Sequence, residues 1–119
     1  MNELAQRTDW VDVIAEADLE VELGVPALVG SEPVAVFRTW DGGLYAVSNL
    51  DPRTGASVIA RGIVGSRGDV PTVASPLYKE VFDLRTGMCL DDPAKRLAHF
   101  EVRVLDGVVQ VRGADDRSR

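Results

Sequence analysis

The sequence predicts an all-β domain, a small antiparallel sandwich or barrel, and three observations carry that expectation. Apolar residues recur at alternate positions rather than at helical spacing. Gly-bearing turns such as Asp41-Gly42-Gly43 and Asp106-Gly107 separate the apolar runs. No stretch supports a helix longer than about three turns. The chain has 119 residues, enough for one compact domain with one core. Residues 8–113 are the expected domain, with 1–7 as an N-terminal tail and 114–119, which lack apolar anchors, as a disordered C-terminal tail.

The segment WVDVIAEADL opens with alternation at Trp10, Asp12 and Ile14, then offers one turn of helix over 16–19, too short to stand alone. Val34-Ala35-Val36-Phe37 and Leu44-Tyr45-Ala46-Val47 flank a Gly-containing turn and form the first predicted hairpin. Residues 51–75 are rich in Gly and Pro and read as short strands joined by irregular turns. In SPLYKEVFDLRTGMC, 75–89, a proline-bearing loop runs into a short strand, turns at Arg85-Thr86-Gly87 and ends on Cys89. Residues 91–97 read as a loop or a single turn, and HFEVRVLDGVVQVRG as the second hairpin. Trp10 and Trp40 are expected in the core or on a strand face.

Composition narrows the function classes. The contents of 45% hydrophobic and 27% charged residues are those of a globular domain. A net charge of −6 argues against nucleic acid, whose affinity comes largely from Lys and Arg. No apolar run reaches the roughly 18–20 residues that span a bilayer, and the first residues lack a basic segment followed by an apolar one. A cytoplasmic protein is expected. The lone cysteine cannot form an internal disulfide, so packing must hold the fold. Cys89 reads as a small buried hydrophobe, since Asp91 and Asp92 oppose any activation of its thiol by Lys95 and Arg96.

Catalytic patterns are thin. His99 is the single histidine and opens an alternating run, so it reads as a strand residue rather than a base. Asp91 and Asp92 are adjacent, which on an extended chain points them apart, and they read as a hydrophilic turn. Gly62, Gly65 and Gly68 lack the spacing of a dinucleotide fingerprint, and no GK[ST] phosphate loop occurs. Two loops of unusual texture remain, 48–57 and 75–89.

Those loops carry a resemblance. NLDPRTGA, 49–56, is similar to the first cluster loop of Rieske ferredoxin-type domains, N-x-C-P-H-x-G-A, and 75–89 resembles the second, C-P-x-H-x-x-x-F-D-x-x-T-G-x-C/A. Asn49, Pro52, Gly55, Ala56, Pro76, Phe82, Asp83, Thr86 and Gly87 match the framework. The four ligand positions do not: the family's Cys and His are replaced by Asp51 and Arg53 in the first loop and by Ser75 and Tyr78 in the second. A Rieske centre takes two thiolates and two imidazoles, so the resemblance implies no [2Fe–2S] cluster, no other metal and no catalytic group in this chain. An Asp–Arg and a Ser–Tyr set could hydrogen-bond where iron would otherwise tie the loops.

Over about residues 8–113, including VIARGIVG and VRVLDGVVQVRG, the chain resembles the small subunit of assimilatory NAD(P)H-dependent nitrite reductases. That resemblance implies a non-catalytic partner for a large subunit carrying FAD, a [4Fe–4S] cluster and sirohaem, which reduces nitrite to ammonium. It also implies a Rieske-like fold with both loops side by side at one end. The tip they form, Asp51–Thr54 with Ser75–Lys79, is a candidate docking face. Against it stand plainer readings, with Asp51 and Arg53 as a solvated turn pair and Tyr78 as a core cap whose hydroxyl meets water. Two other functions compete: a cluster-free Rieske-like binding or regulatory module for another oxidoreductase, and a hydrolytic enzyme using Asp51, Asp91 or Asp92, for which no partner histidine exists.

Overall fold

The computed structural model describes residues 10–113. The expected tails, 1–7 and 114–119, lie outside the described residues. The architecture is all-β: β1 (Val11–Ala15), β2 (Val25–Val29), β3 (Glu32–Arg38), β4 (Leu44–Ser48), β5 (Ile63–Arg67), β6 (Val70–Ala74), β7 (Val81–Asp83), β8 (His99–Leu105) and β9 (Val108–Arg112). Two short 3-10 turns, Glu16–Asp18 and Ile59–Arg61, are the helical elements among the described residues. A six-stranded sheet runs β1-β9-β8-β4-β3-β2 and a three-stranded sheet runs β5-β6-β7, with every named pairing antiparallel.

The continuous apolar run of β3 follows from its place between two cores. Side chains alternate along a strand, so Val34 and Val36 join Ala46, Phe100, Val109, Val111, Leu19 and Val29 on one face. Ala35 and Phe37 turn the other way, towards Val47, Ile59, Val73, Phe82, Leu84, Cys89 and Leu97 beneath the small sheet. Residues from both ends of the six-stranded sheet meet in the first cluster, so that sheet curls around its own core. A strand covered on both faces shows no polar alternation. Cys89 is buried in the second core, as expected.

Both predicted hairpins form, β3–β4 and β8–β9. Asp106 and Gly107 both take positive φ, 54° and 78°, the geometry of the tight turn that Asp-Gly favours. Strand β2 and its hairpin with β3 were not anticipated: Pro26 and Pro33 obscure the period, and the turn at Gly30 (φ 65°) is brief. Of the strands expected within 51–75, β5 and β6 form, while 51–56 is a closed loop. Trp40 departs from expectation, being 77% exposed on the β3–β4 turn. Trp10 lies under the guanidinium groups of Arg103 and Arg112, 4.2 and 4.5 Å from its ring.

The turn after β7 is fixed by Asp83. Its Oδ1 accepts from the Arg85 N–H at 2.8 Å and its Oδ2 from the Arg85 guanidinium at 3.1 Å. Burial pushes the Asp83 carboxyl up, yet the side-chain and backbone hydrogen bonds and the charge of Arg85 outweigh it, so the pKa lies below the usual value. A depressed carboxyl contributes stability that is present above its unfolded pKa of about 4 and is lost as pH falls through the lower folded value. Asp83→Asn should therefore lower stability near neutral pH and flatten the acid limb of a stability–pH curve below about pH 4. An acid limb as steep as that of the wild type would contradict this role.

Candidate functional site

The tip is built where β4 and β6 run out at the same end of the molecule. After β4 the chain is anchored by Asn49, which is buried. Its Oδ1 accepts from the Ala60 N–H at 2.6 Å and its Nδ2 donates to Ser57 Oγ at 2.8 Å. The Asp51 N–H donates to the Ala56 carbonyl and the Gly55 N–H to the Asp51 carbonyl, closing the loop with Gly55 at φ 77°. The second loop closes likewise: the Ser75 N–H donates to the Glu80 carbonyl, and the Lys79 N–H to that of Ser75, with Lys79 at φ 63°. A non-glycine residue at that φ costs on the order of 1–2 kcal/mol, which the loop's hydrogen bonds offset.

The four residues singled out in the sequence come together, in a different pairing from the one expected. Asp51 is fully buried rather than solvated. Its Oδ1 accepts from the backbone N–H of Arg53 and of Thr54, and its Oδ2 accepts from Ser75 Oγ across the loops at 2.5 Å. The Arg53 guanidinium does not pair with Asp51; it lies over the Tyr78 ring, 4.5 Å from its centroid. The contacts therefore run Asp51–Ser75 and Arg53–Tyr78, from loop to loop. Tyr78 is half exposed, and its neighbour Leu77 and, in the first loop, Leu50 are exposed as well, so it does not cap the core.

Glu80 belongs to the tip and was missed. Its Oε2 accepts from Arg53 at 3.3 Å and from Lys95 at 3.0 Å, and Lys95 also reaches Asp92 at 3.3 Å. Glu80 Oε1 is buried with no hydrogen-bond partner among the described residues. A single Glu after an exposed loop carries no sequence signal; only the fold brings it against Arg53 and Lys95. Asp91 and Asp92 sit in a turn as expected, Asp91 accepting from the Val81 N–H and from Arg67. His99 is exposed at the start of β8.

Residues 9–112 match the Rieske-like [2Fe-2S] domain family. The nitrite reductase (NADH) small subunit of Escherichia coli strain K12 is 42% identical over 107 residues, covering 89% of this chain and 99% of that protein. This chain belongs to the nitrite reductase small-subunit family of Rieske-like domains. A crystal structure from Mycobacterium tuberculosis, assigned as an NADH-dependent nitrite reductase small subunit, superposes on this small-subunit fold with a TM-score of 0.84. It is 42% identical, covering 87% of this chain and 94% of that one. A stretch within the nitrite reductase [NAD(P)H] large subunit of Klebsiella oxytoca is also similar, 38% identical over 90 residues, which is 76% of this chain and 9% of that protein.

The donor set of this small-subunit relative does not fit the cluster for which its wider family is described. Two thiolates and two imidazoles are needed. The whole chain has one Cys and one His, Cys89 in the core and His99 on β8, neither in the tip. Arginine stays protonated and offers no lone pair, and a hydroxyl is a poor substitute for a thiolate. Among the described residues no group of three or more His, Cys, Asp and Glu side chains is placed to hold a metal ion, and no helix is long and apolar enough to cross a membrane.

Proposed function

We propose that this chain is the non-catalytic small subunit of a cytoplasmic NAD(P)H-dependent nitrite reductase, supporting a large subunit that carries FAD, a [4Fe–4S] cluster and sirohaem and reduces nitrite to ammonium. The observation that carries it is a pair of similarities: one to a separate small subunit over nearly its whole length, the other to a segment inside a large subunit. A domain found both free and within the chain it serves is a domain that works against that chain. Electron transfer through this subunit would need a redox centre, and the donor set at the tip does not fit the Rieske cluster.

The tip is the docking face in this reading. Arg53, Lys79, Tyr78, Leu77 and Leu50 present cations and apolar surface on a chain of net charge −6, while Asp51 points inward and Glu80 is held between two cations. Such a surface suits a partner patch with an acidic rim. Exposed charges act mainly on association rate and salt dependence, and a desolvated aromatic anchor on the off-rate. Arg53→Ala should weaken binding chiefly at low salt and Tyr78→Ala at any salt. Both should lower the thermal midpoint by only a few degrees, since an exposed cation–π pair contributes about 0.5–1 kcal/mol.

Co-expression with a tagged large subunit tests the assignment. The small subunit should co-purify, should be colourless when purified alone, and should not oxidise NADH or NADPH with nitrite. Failure to co-purify, or stoichiometric iron and sulfide in the isolated chain, would refute it.

A further inference from the structure

The pairing at the tip follows the two classes of position that the cluster loops distinguish. Asp51 and Ser75 stand at the two thiolate positions and touch each other; Arg53 and Tyr78 stand at the two imidazole positions and touch each other. In a Rieske centre the thiolates share one iron and the imidazoles the other. We infer that each cross-loop pair stands in for one iron, the Asp51–Ser75 hydrogen bond for the thiolate-held one and the Arg53–Tyr78 stack for the imidazole-held one, so that the loops keep the ligand-bearing arrangement without metal.

The inner pair can be checked dimensionally. Two thiolates on one tetrahedral metal, each at about 2.3 Å, stand about 3.8 Å apart. Serine Oγ and aspartate Cγ occupy the same place along the side chain as a cysteine sulfur. With Ser75 Oγ at 2.5 Å from Asp51 Oδ2 and a C–O bond of about 1.2 Å, those two γ atoms are at most about 3.7 Å apart. The two γ atoms therefore lie slightly inside the separation of two thiolate sulfurs on one metal, so a shared metal would need only a small outward adjustment of the loops. The remaining acceptor capacity of Asp51 goes to the backbone N–H groups of Arg53 and Thr54, so the same side chain that bridges the loops also shapes the first of them.

The outer pair has the different chemistry its exposure demands. A guanidinium over a half-exposed ring tolerates water, and Glu80 tethers that guanidinium from the second loop. Lys95 reaches the same Glu80 oxygen, so the segment after β7 braces the outer pair as well. None of this depends on which protein meets the tip, so the inference stands apart from the docking proposal.

Two measurements decide it. The quadruple variant D51C/R53H/S75C/Y78H, reconstituted anaerobically with ferrous iron and sulfide, should bind two irons and two labile sulfides per chain and gain a visible charge-transfer spectrum that the wild type lacks. A variant that melts cooperatively but takes up neither would overturn the inference. Should it not fold, the exchanged pair decides: D51S/S75D reverses the donor and acceptor and should regain most of the thermal midpoint lost in Asp51→Ser. An exchange no better than the single change would equally overturn it.

Discussion

Replacing Gly87 by alanine should destabilise this domain by about 3–5 kcal/mol, the largest effect expected of a glycine-to-alanine change among the described residues. Gly87 has φ 84°, and a Cβ there would overlap the Leu97 carbonyl oxygen. The Leu97 N–H also donates to the Gly87 carbonyl at 2.7 Å, so neither backbone can retreat without breaking that bond. Leu97 is itself a buried member of the core beneath the small sheet, so displacing it disturbs Phe82 and Leu84 as well. At roughly 4–8 °C per kcal/mol for a domain of this size, the thermal midpoint should fall by more than ~10 °C. Gly107→Ala is the control: its φ is 78°, but nothing lies within 4 Å of the added carbon. It should cost only the left-handed conformation, on the order of 1–2 kcal/mol. Equal losses in the two variants would show that the contact with Leu97 does not matter.

Asp51→Ala should cost about 2–4 kcal/mol, because three donors lose their acceptor in a buried place. These are Ser75 Oγ and the N–H groups of Arg53 and Thr54. Asp51→Asn keeps one carboxamide oxygen as acceptor and should cost about half as much. Hydrogen exchange locates the damage: protection should fall at the Leu77 and Lys79 amides of the second loop, whose acceptors both lie on Ser75. Stability unchanged within about 0.5 kcal/mol would mean that the buried bond ties nothing.

The hairpins were legible because Asp-Gly and Asp-Gly-Gly turns between alternating runs leave few other local solutions. Gly87 was legible as a framework residue, although its reason, the Leu97 backbone across the turn, lies ten positions on in the chain. The tip residues were legible as substituted ligand positions. Their pairing was not, since neighbours in sequence suggested Asp51 with Arg53, whereas the fold sets Asp51 against Ser75. Burial explains the difference: the carboxylate points inward to the N–H groups of its own loop, and the long guanidinium reaches outward to a ring. Trp40 shows the reverse error, a large apolar side chain that its place on the β3–β4 turn leaves in solvent.

In the proposed assignment this chain acts through a large subunit and not by chemistry of its own. Titrating it into a large subunit prepared alone, while following nitrite-dependent NADH or NADPH oxidation and its decay with time, tests that directly. Saturable change in rate or half-life, reduced at low salt by Arg53→Ala, is the predicted result. A large subunit that behaves identically at every concentration of the small subunit would contradict it.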